Sequence, residues 1–277
     1  MIFYTTNAIH HCTLKEDVMK INIVHTSRGR PQIAYDTVYN TLANRESDHA
    51  FLYTLGIEEN EWPLYESVIR MLQETFNIPN QPTLFTYTTF SGARIELSDL
   101  LTADSKWKYD FKFPLDMENY LTANTKGNIL YRNAAANCDW IVTIADNFYQ
   151  PKGWDTLMLP TLLAHRGQVA ILGYVNQLWR QLVSHPVITP AFLRWNDNEL
   201  MSSKYFHTHG DCELFLKGKL AEVLYAFDDK LQPSRKHASD GTAPWDELCC
   251  INNSFSSYKQ AEAVWQIRKA AIIKRFT

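Results

Sequence analysis

Polar side chains that could share one piece of chemistry stand at three places along this chain. Thr26, Ser27 and Arg28 close the apolar, β-branched run 21–26 (INIVHT). Their hydroxyls, backbone groups and guanidinium suit a base, a ribose and a diphosphate. Asp146 follows a second apolar run, 139–145 (DWIVTIA). Asp211 follows Gly210 and opens a helical stretch. A carboxylate in the first turn of a helix lies where the macrodipole favours an anion, and an anionic oxygen can take the proton of an attacking hydroxyl. The same residue would also serve as a plain helix cap. Glu213, on another side of that turn, is the competing base.

These residues need a scaffold that brings strand ends together. Residues 21–26 read as a buried strand, 27–30 as a polar loop, and Pro31 as the first turn of a helix carrying Ile33, Thr37, Val38 and Leu42. Residues 50–57 read as a second strand ending at Glu58-Glu59-Asn60. A helix over 63–76 follows, with Leu64, Val68, Met71 and Leu72 on one face. A third strand is expected at 83–88, and 90–125 reads as an insertion. Beyond it come a helix at 129–137, a strand at 139–145, a helix at 153–164 despite Pro160, and a strand at 169–174. Residues 187–195 read as a strand, 211–226 as a strong helix, and 254–276 as a long amphipathic helix with a basic end. Strands alternating with helices predict an α/β fold, a Rossmann-like and mainly parallel sheet with helices on both faces and a C-terminal helical extension. In such a sheet ligands bind at the carboxyl ends of the strands.

The composition narrows the function. The chain has 277 residues, 45% of them hydrophobic and 21% charged, as expected of a packed globular protein. A formal charge of −3 without a Lys/Arg run excludes non-specific nucleic-acid binding as the expected role. The five cysteines form no CxxC pair and read as reduced thiols. The first twenty residues read as an extension without a signal-peptide core, and no stretch approaches the ~20 apolar residues of a membrane span. A cytoplasmic location is the expectation. The first strand-to-helix turn lacks GxGxxG, which argues against a dehydrogenase. It also lacks the glycine-rich, lysine-bearing loop of a sugar nucleotidyltransferase.

Three segments, in order, resemble the inverting family 2 glycosyltransferases of the GT-A fold. Residues 23–31 (IVHTSRGRP) are similar to that family's opening strand and its Arg-Pro turn. Residues 131–136 (YRNAAA), followed by 139–147 (DWIVTIADN), are similar to its "ARN" helix and the strand ending in a DxD-type acidic motif; 148–155 (FYQPKGWD) continue in the same manner. Residues 209–217 (HGDCELFLK) resemble its "ED" segment. The resemblance implies transfer of a sugar from a nucleotide-sugar donor, taken as UDP-linked, to a saccharide or other hydroxyl acceptor with inversion. It divides the chain into residues 1–20 as an extension, 21–175 as the nucleotide-sugar half, and 176–277 as the acceptor side.

The resemblance also implies roles. Asp146 would ligate a divalent cation, Mn2+ or Mg2+, with His237 as a second ligand. Thr26, Ser27, Arg28, Glu58, Arg132 and Ala145 would contact the nucleotide, Glu58 reading a uracil edge or the ribose. Asn147 and Trp154 would face the sugar, although Trp154 as a core anchor would need no ligand. Asp211 would be the base. The chain departs from the family where Ile144 stands in place of a further acid, which leaves one carboxylate in the motif. That departure keeps open a second reading, a non-catalytic sugar-nucleotide-binding scaffold of the same fold.

Overall fold

The structure, a computed structural model, describes residues 19–79, 83–91, 122–205, 209–235 and 255–276. The chain enters through β1 (Lys20–Thr26), α1 (Pro31–Ala43), β2 (Ala50–Glu58), α2 (Trp62–Phe76) and β3 (Thr83–Phe90). It continues with α3 (Ala123–Ala135), β4 (Trp140–Ala145), the two-residue β5 (Phe148–Tyr149), α4 (Trp154–Ala164) and β6 (Ile171–Gly173). Then follow α5 (Val175–Leu178), β7 (Val187–Ile188), α6 (Pro190–Trp195), α7 (Gly210–Leu220), β8 (Leu224–Ala226), β9 (Ser234–Arg235) and α8 (Phe255–Phe276). Seven strands form one sheet in the order β3-β2-β1-β4-β7-β6-β8, and β5 and β9 pair separately. Strands β3, β2, β1 and β4 run parallel, whereas β7 runs against both β4 and β6.

Side chains on a strand alternate between faces, so the run in β1 supplies two cores at once. Ile21 and Ile23 join Tyr53 and Phe85 beneath α1, α2 and α4. Val24 points the other way, into a cluster with Leu130 of α3, Phe192 of α6 and Leu214 of α7. The fold class read from the sequence is therefore observed.

Two elements differ from expectation. Residues 187–195 are a two-residue strand followed by a helix, because the Thr189 hydroxyl accepts the Phe192 N–H at 3.1 Å and Pro190 fits the first helical turn. The helix expected over 211–226 stops at Leu220, and Leu224–Ala226 instead join the sheet beside β6. Gly218 permits this close approach, since a Cβ there would sit 2.9 Å from the Ile171 Cδ1 and 3.0 Å from the Leu224 Cβ.

Helix α8 closes the C-terminal side over α7. The Glu213 carboxylate is buried and receives Arg268 Nε at 2.5 Å and Nη2 at 2.6 Å, Lys217 Nζ at 2.9 Å and the Tyr205 hydroxyl at 2.8 Å. Burial alone would raise its pKa, but the Arg268 hydrogen bonds and the Lys217 charge prevail and hold it down to about 2, below the ordinary 4.5. A depressed folded-state pKa stabilises the fold above the unfolded value and loses that contribution as pH falls from about 4.5 through about 2. We expect Glu213→Gln to be less stable at pH 7 by roughly 3–5 kcal/mol, because Arg268 and Lys217 lose their partner. Its stability should also fall less steeply than the parent's between pH 5 and 2. Urea unfolding across that range measures both effects.

Candidate active site

The chain runs outward from β1 through β2 to β3, then crosses to the opposite side of β1 to form β4. The direction of strand order thus changes between β1 and β4, and such a switch point opens a crevice at the carboxyl ends. Thr26 and Ala145 are register partners at that end, so Ser27 and Asp146 leave the sheet side by side.

Asp146 is the meeting point of two buried hydrogen-bond chains. Its Oδ1 lies 2.9 Å from His25 Nε2, and His25 Nδ1 lies 2.9 Å from the Tyr53 hydroxyl. Its Oδ2 accepts the Ser27 hydroxyl at 2.9 Å; Ser27 Oγ lies 2.7 Å from the Tyr65 hydroxyl, which accepts the Arg30 N–H at 3.0 Å. A carboxylate only accepts, so every proton can be ordered toward it: Tyr53 donates to His25 and His25 to Asp146, while Tyr65 donates to Ser27 and Ser27 to Asp146. Burial raises the pKa of both tyrosines, which keeps their donating protons in place. The turn beyond Asp146 has Asn147 at φ 68°, a left-handed conformation that Asn tolerates, with its N–H donated to the Thr37 hydroxyl at 3.2 Å.

The next residue of the same loop turns to a second cluster. Arg28 Nε is 3.5 Å from Glu58 Oε1 and 4.0 Å from Glu61 Oε1. Lys126 of α3 reaches the same Glu58 oxygen at 3.1 Å. Glu58 and Lys126 are 1% and 3% exposed, which makes theirs a buried ion pair rather than a solvated one. Burial lowers the Lys126 pKa, against the pull of Glu58. Glu61 also accepts the Gly29 N–H at 3.0 Å, where φ of 65° requires the glycine. Two acids and two cations thus cluster at the carboxyl end of β2.

Asp211 comes from the C-terminal part of the chain. It lies in the first turn of α7, where its Oδ1 accepts the Cys212 N–H at 2.9 Å and its Oδ2 accepts the Ser184 hydroxyl at 3.1 Å. His185, next to Ser184, packs against Phe148 with ring centroids 4.2 Å apart and the rings tilted by 49°. Burial, with Arg235 and His25 nearby, pulls the His185 pKa down to about 3, so its imidazole is neutral. Phe148 is two residues beyond Asp146 and is paired with Arg235 of β9. The two aspartates are therefore linked by the chain from Asp146 to Phe148, the ring contact of Phe148 with His185, and the hydrogen bond from Ser184, beside His185, to Asp211.

The other expected site residues fall variously. Thr26, Ser27, Arg28, Glu58, Ala145, Asp146 and Asn147 lie together at the carboxyl ends of β1, β2 and β4. Trp154 does not face a sugar: it is 0% exposed, donates its indole N–H to the Thr41 carbonyl at 2.9 Å and meets Phe51 edge-on. Arg132 is also corrected. It is exposed in the last turn of α3, near Ala134, whose carbonyl accepts from Asn22 toward the start of β1. At about 1.5 Å per residue it lies roughly 9 Å along the helix from Lys126, the α3 cation that does reach the carboxyl ends. Glu213, the competing base, is consumed by Arg268, Lys217 and Tyr205. His237 lies outside the described residues. His25, Lys126, Ser184 and His185 were not picked out from the sequence; the first sits in a strand read as core, and Lys126 had the signal of a cation beside Gly127.

No protein-family model matches the sequence, and neither does any curated protein. Solved structures do match. The chain is similar to S. aureus TarS, with a TM-score of 0.51 at 10% identity over 87% of this chain and 45% of TarS, so it spans about half the length of that relative. It is also similar to the mannosyltransferase PcManGT from Pyrobaculum calidifontis, solved with GDP-Man and Mn2+, with a TM-score of 0.51 at 8% identity over 92% of this chain and 76% of that one. The chain has the GT-A fold.

The Asp146 chains make a quantitative prediction. Ser27→Ala and Tyr65→Phe each break the same chain, so their destabilisations should fall short of additivity by roughly 0.5–3 kcal/mol. Chemical denaturation of the two single variants and the double variant measures that coupling.

Proposed function

We propose that the chain is a glycosyltransferase that moves a sugar from a nucleotide-sugar donor, taken as UDP-linked, to a hydroxyl acceptor with inversion. The observation that carries this reading is the contact series joining Asp146 to Asp211 across the carboxyl edge of a GT-A sheet. In this reading Thr26, Ser27 and Ala145 face the nucleotide with their backbone, while Glu58, Arg28 and Lys126 line its base and ribose side. Asp211, held by Ser184, takes the proton of the acceptor hydroxyl as its oxygen attacks the anomeric carbon. The bond from that carbon to the diphosphate oxygen breaks on the opposite face, and the configuration inverts. Asn147 lies against the donor sugar.

A divalent cation of the Mn2+ or Mg2+ class, when bound, neutralises charge on the leaving diphosphate. Each Asp146 oxygen already accepts one protein hydrogen bond and has a further lone pair, so the residue fits as a single ligand. Among the described residues no group of three His, Cys, Asp or Glu is placed to hold a metal, which leaves the remaining positions to the diphosphate, water and the proposed ligand His237. No described helix is long and apolar enough to cross a membrane. The thiols of Cys138 and Cys212 are free, with pKa values raised by burial to about 12, and a cytoplasmic site of action belongs to this reading.

One observation favours a second reading, a non-catalytic nucleotide-sugar-binding scaffold: Ile144 is packed in the core where an acid would add a metal ligand. Thermal shift with UDP, with and without Mn2+, and hydrolysis of a panel of UDP- and GDP-sugars separate the two. Metal-dependent stabilisation with hydrolysis is expected of the parent; binding without turnover of any donor would favour the scaffold. Asp146→Ala should weaken metal-dependent UDP binding at least tenfold. Asp211→Asn should retain UDP binding and lose transfer by a factor of 100 or more, in line with removal of a general base, roughly 10²–10⁴-fold. Equal transfer by the parent and Asp211→Asn would remove that residue from the mechanism.

A further inference from the structure

The helix that carries Asp211 begins in an unusual way. Its N-cap, His209, has a φ of 69°, a left-handed conformation uncommon for a residue with a β-carbon. Helices α3 and α6 open on extended threonines, Thr122 and Thr189, whose hydroxyls accept an N–H of the first turn. The His209 imidazole turns to α8 instead. Its Nε2 lies 3.0 Å from Glu262 Oε2, and since a carboxylate only accepts, the imidazole donates. The ring meets Tyr258 edge-on with centroids 6.3 Å apart, and Trp265 at 6.5 Å. The Gln266 side chain, one turn along α8, donates to the other Glu262 oxygen. The His209 carbonyl accepts the Glu213 N–H at 2.9 Å, which closes the first turn of α7. The next residue, Gly210, is buried so closely against Met201 that a Cβ would sit 3.3 Å from the Met201 Cβ. The Met201 carbonyl is in turn held by Asn128 of α3 at 2.7 Å.

We infer that His209 is a positioning residue for Asp211: α8 grips its imidazole, and that grip fixes where α7 starts and where the Asp211 carboxylate stands. Asp211 lies between two residues tied to α8, His209 through Glu262 and Glu213 through Arg268. Residues four apart share one side of a helix, so both ties fall on the side that faces α8. Asp211, midway between them, is turned the other way, toward the Ser184 hydroxyl. A shift in the start of α7 would carry Asp211 away from Ser184 and from the Cys212 N–H. A general base must stand within hydrogen-bond reach of the proton it takes, so such a shift bears directly on the transfer. A left-handed histidine persists only where its surroundings over-determine it, and here the contacts of its ring do so. The effect on the reaction rests on the transferase reading; the hold on Asp211 does not.

The test uses the full chain, with two variants that remove the tie and one that keeps it. His209→Gly accepts the left-handed backbone and loses the ring. Glu262→Ala removes the partner at a half-exposed position, and Glu262→Gln leaves an acceptor for the imidazole. Amide hydrogen exchange over residues 209–217 reads the start of α7, with β1 and β4 as the reference for global opening. Hydrolysis of the UDP- and GDP-sugar panel gives kcat and donor KM. In His209→Gly and Glu262→Ala the Cys212 and Glu213 amides should exchange faster by about tenfold or more, with β1 and β4 unchanged. In the same two variants kcat should fall by about tenfold or more while donor KM stays within about twofold. Glu262→Gln should behave nearly as the parent in both measurements. Unchanged exchange, exchange that rises equally in β1 and β4, faster exchange with kcat retained, or a loss in Glu262→Gln equal to that in Glu262→Ala would each overturn the proposal. A parent that hydrolyses no donor sinks the transferase reading, and exchange alone then decides the hold of His209 on Asp211.

Discussion

A carboxylate at the edge of a buried sheet must be held by donors, and at Asp146 those donors come from several elements at once. His25 belongs to β1, Tyr53 to β2, Tyr65 to α2, and Ser27 and Arg30 to the loop between β1 and α1. In a low-dielectric interior such chains are stronger than their separate bonds, and an interrupted one leaves a costly orphan. The position of the aspartate is thereby fixed by the packing of two strands, a helix and a loop. The loop's remaining geometry follows. Ser27 is drawn to Asp146, Arg28 is left to meet Glu58 and Glu61, and Gly29 makes the reversal that lets Pro31 begin a helix.

The C-terminal part of the chain is built on a different principle. Its strands are short, and ion pairs tie its helices to one another, Glu213 with Arg268 and Lys217 being the most deeply buried of these among the described residues. This part meets the N-terminal part where β7 pairs with β4, where Val24 and Leu130 share a core with Phe192 and Leu214, and where β5 and β9 pair and His185 lies against Phe148. A neutral imidazole suits that position, since a second cation beside Arg235 would repel it.

Much of the N-terminal part of the sheet was legible because its strands are near-continuous apolar runs closed by polar residues. β1, β2 and β4 lie within a residue of where the runs 21–26, 50–57 and 139–145 put them, and Pro31 opens α1 as its fixed φ suggests. The C-terminal half was less legible, since its short strands depend on neighbours. Leu224–Ala226 would be acceptable helix anywhere except beside an open edge of β6, and Val187–Ile188 become strand only between β4 and β6. Within the site, the strand-end positions followed from topology alone. The polar contacts did not. A histidine inside an apolar run gives no sign that it will face an aspartate far along the chain, and Trp154, which reads equally as a ligand contact or a core anchor, is settled by an edge-on Phe51 and a carbonyl of α1.

The bond between Glu213 and Arg268 spans 55 residues and involves the final helix. During synthesis the sheet strands through β8 emerge before Arg268 does, so a carboxylate destined for the interior waits without its counter-charge. Long-range closures of this kind are slow because loop entropy is spent before the contact repays it. The residues that hold Asp146 have therefore all been made before the counter-charge of Glu213, two residues from Asp211, is available.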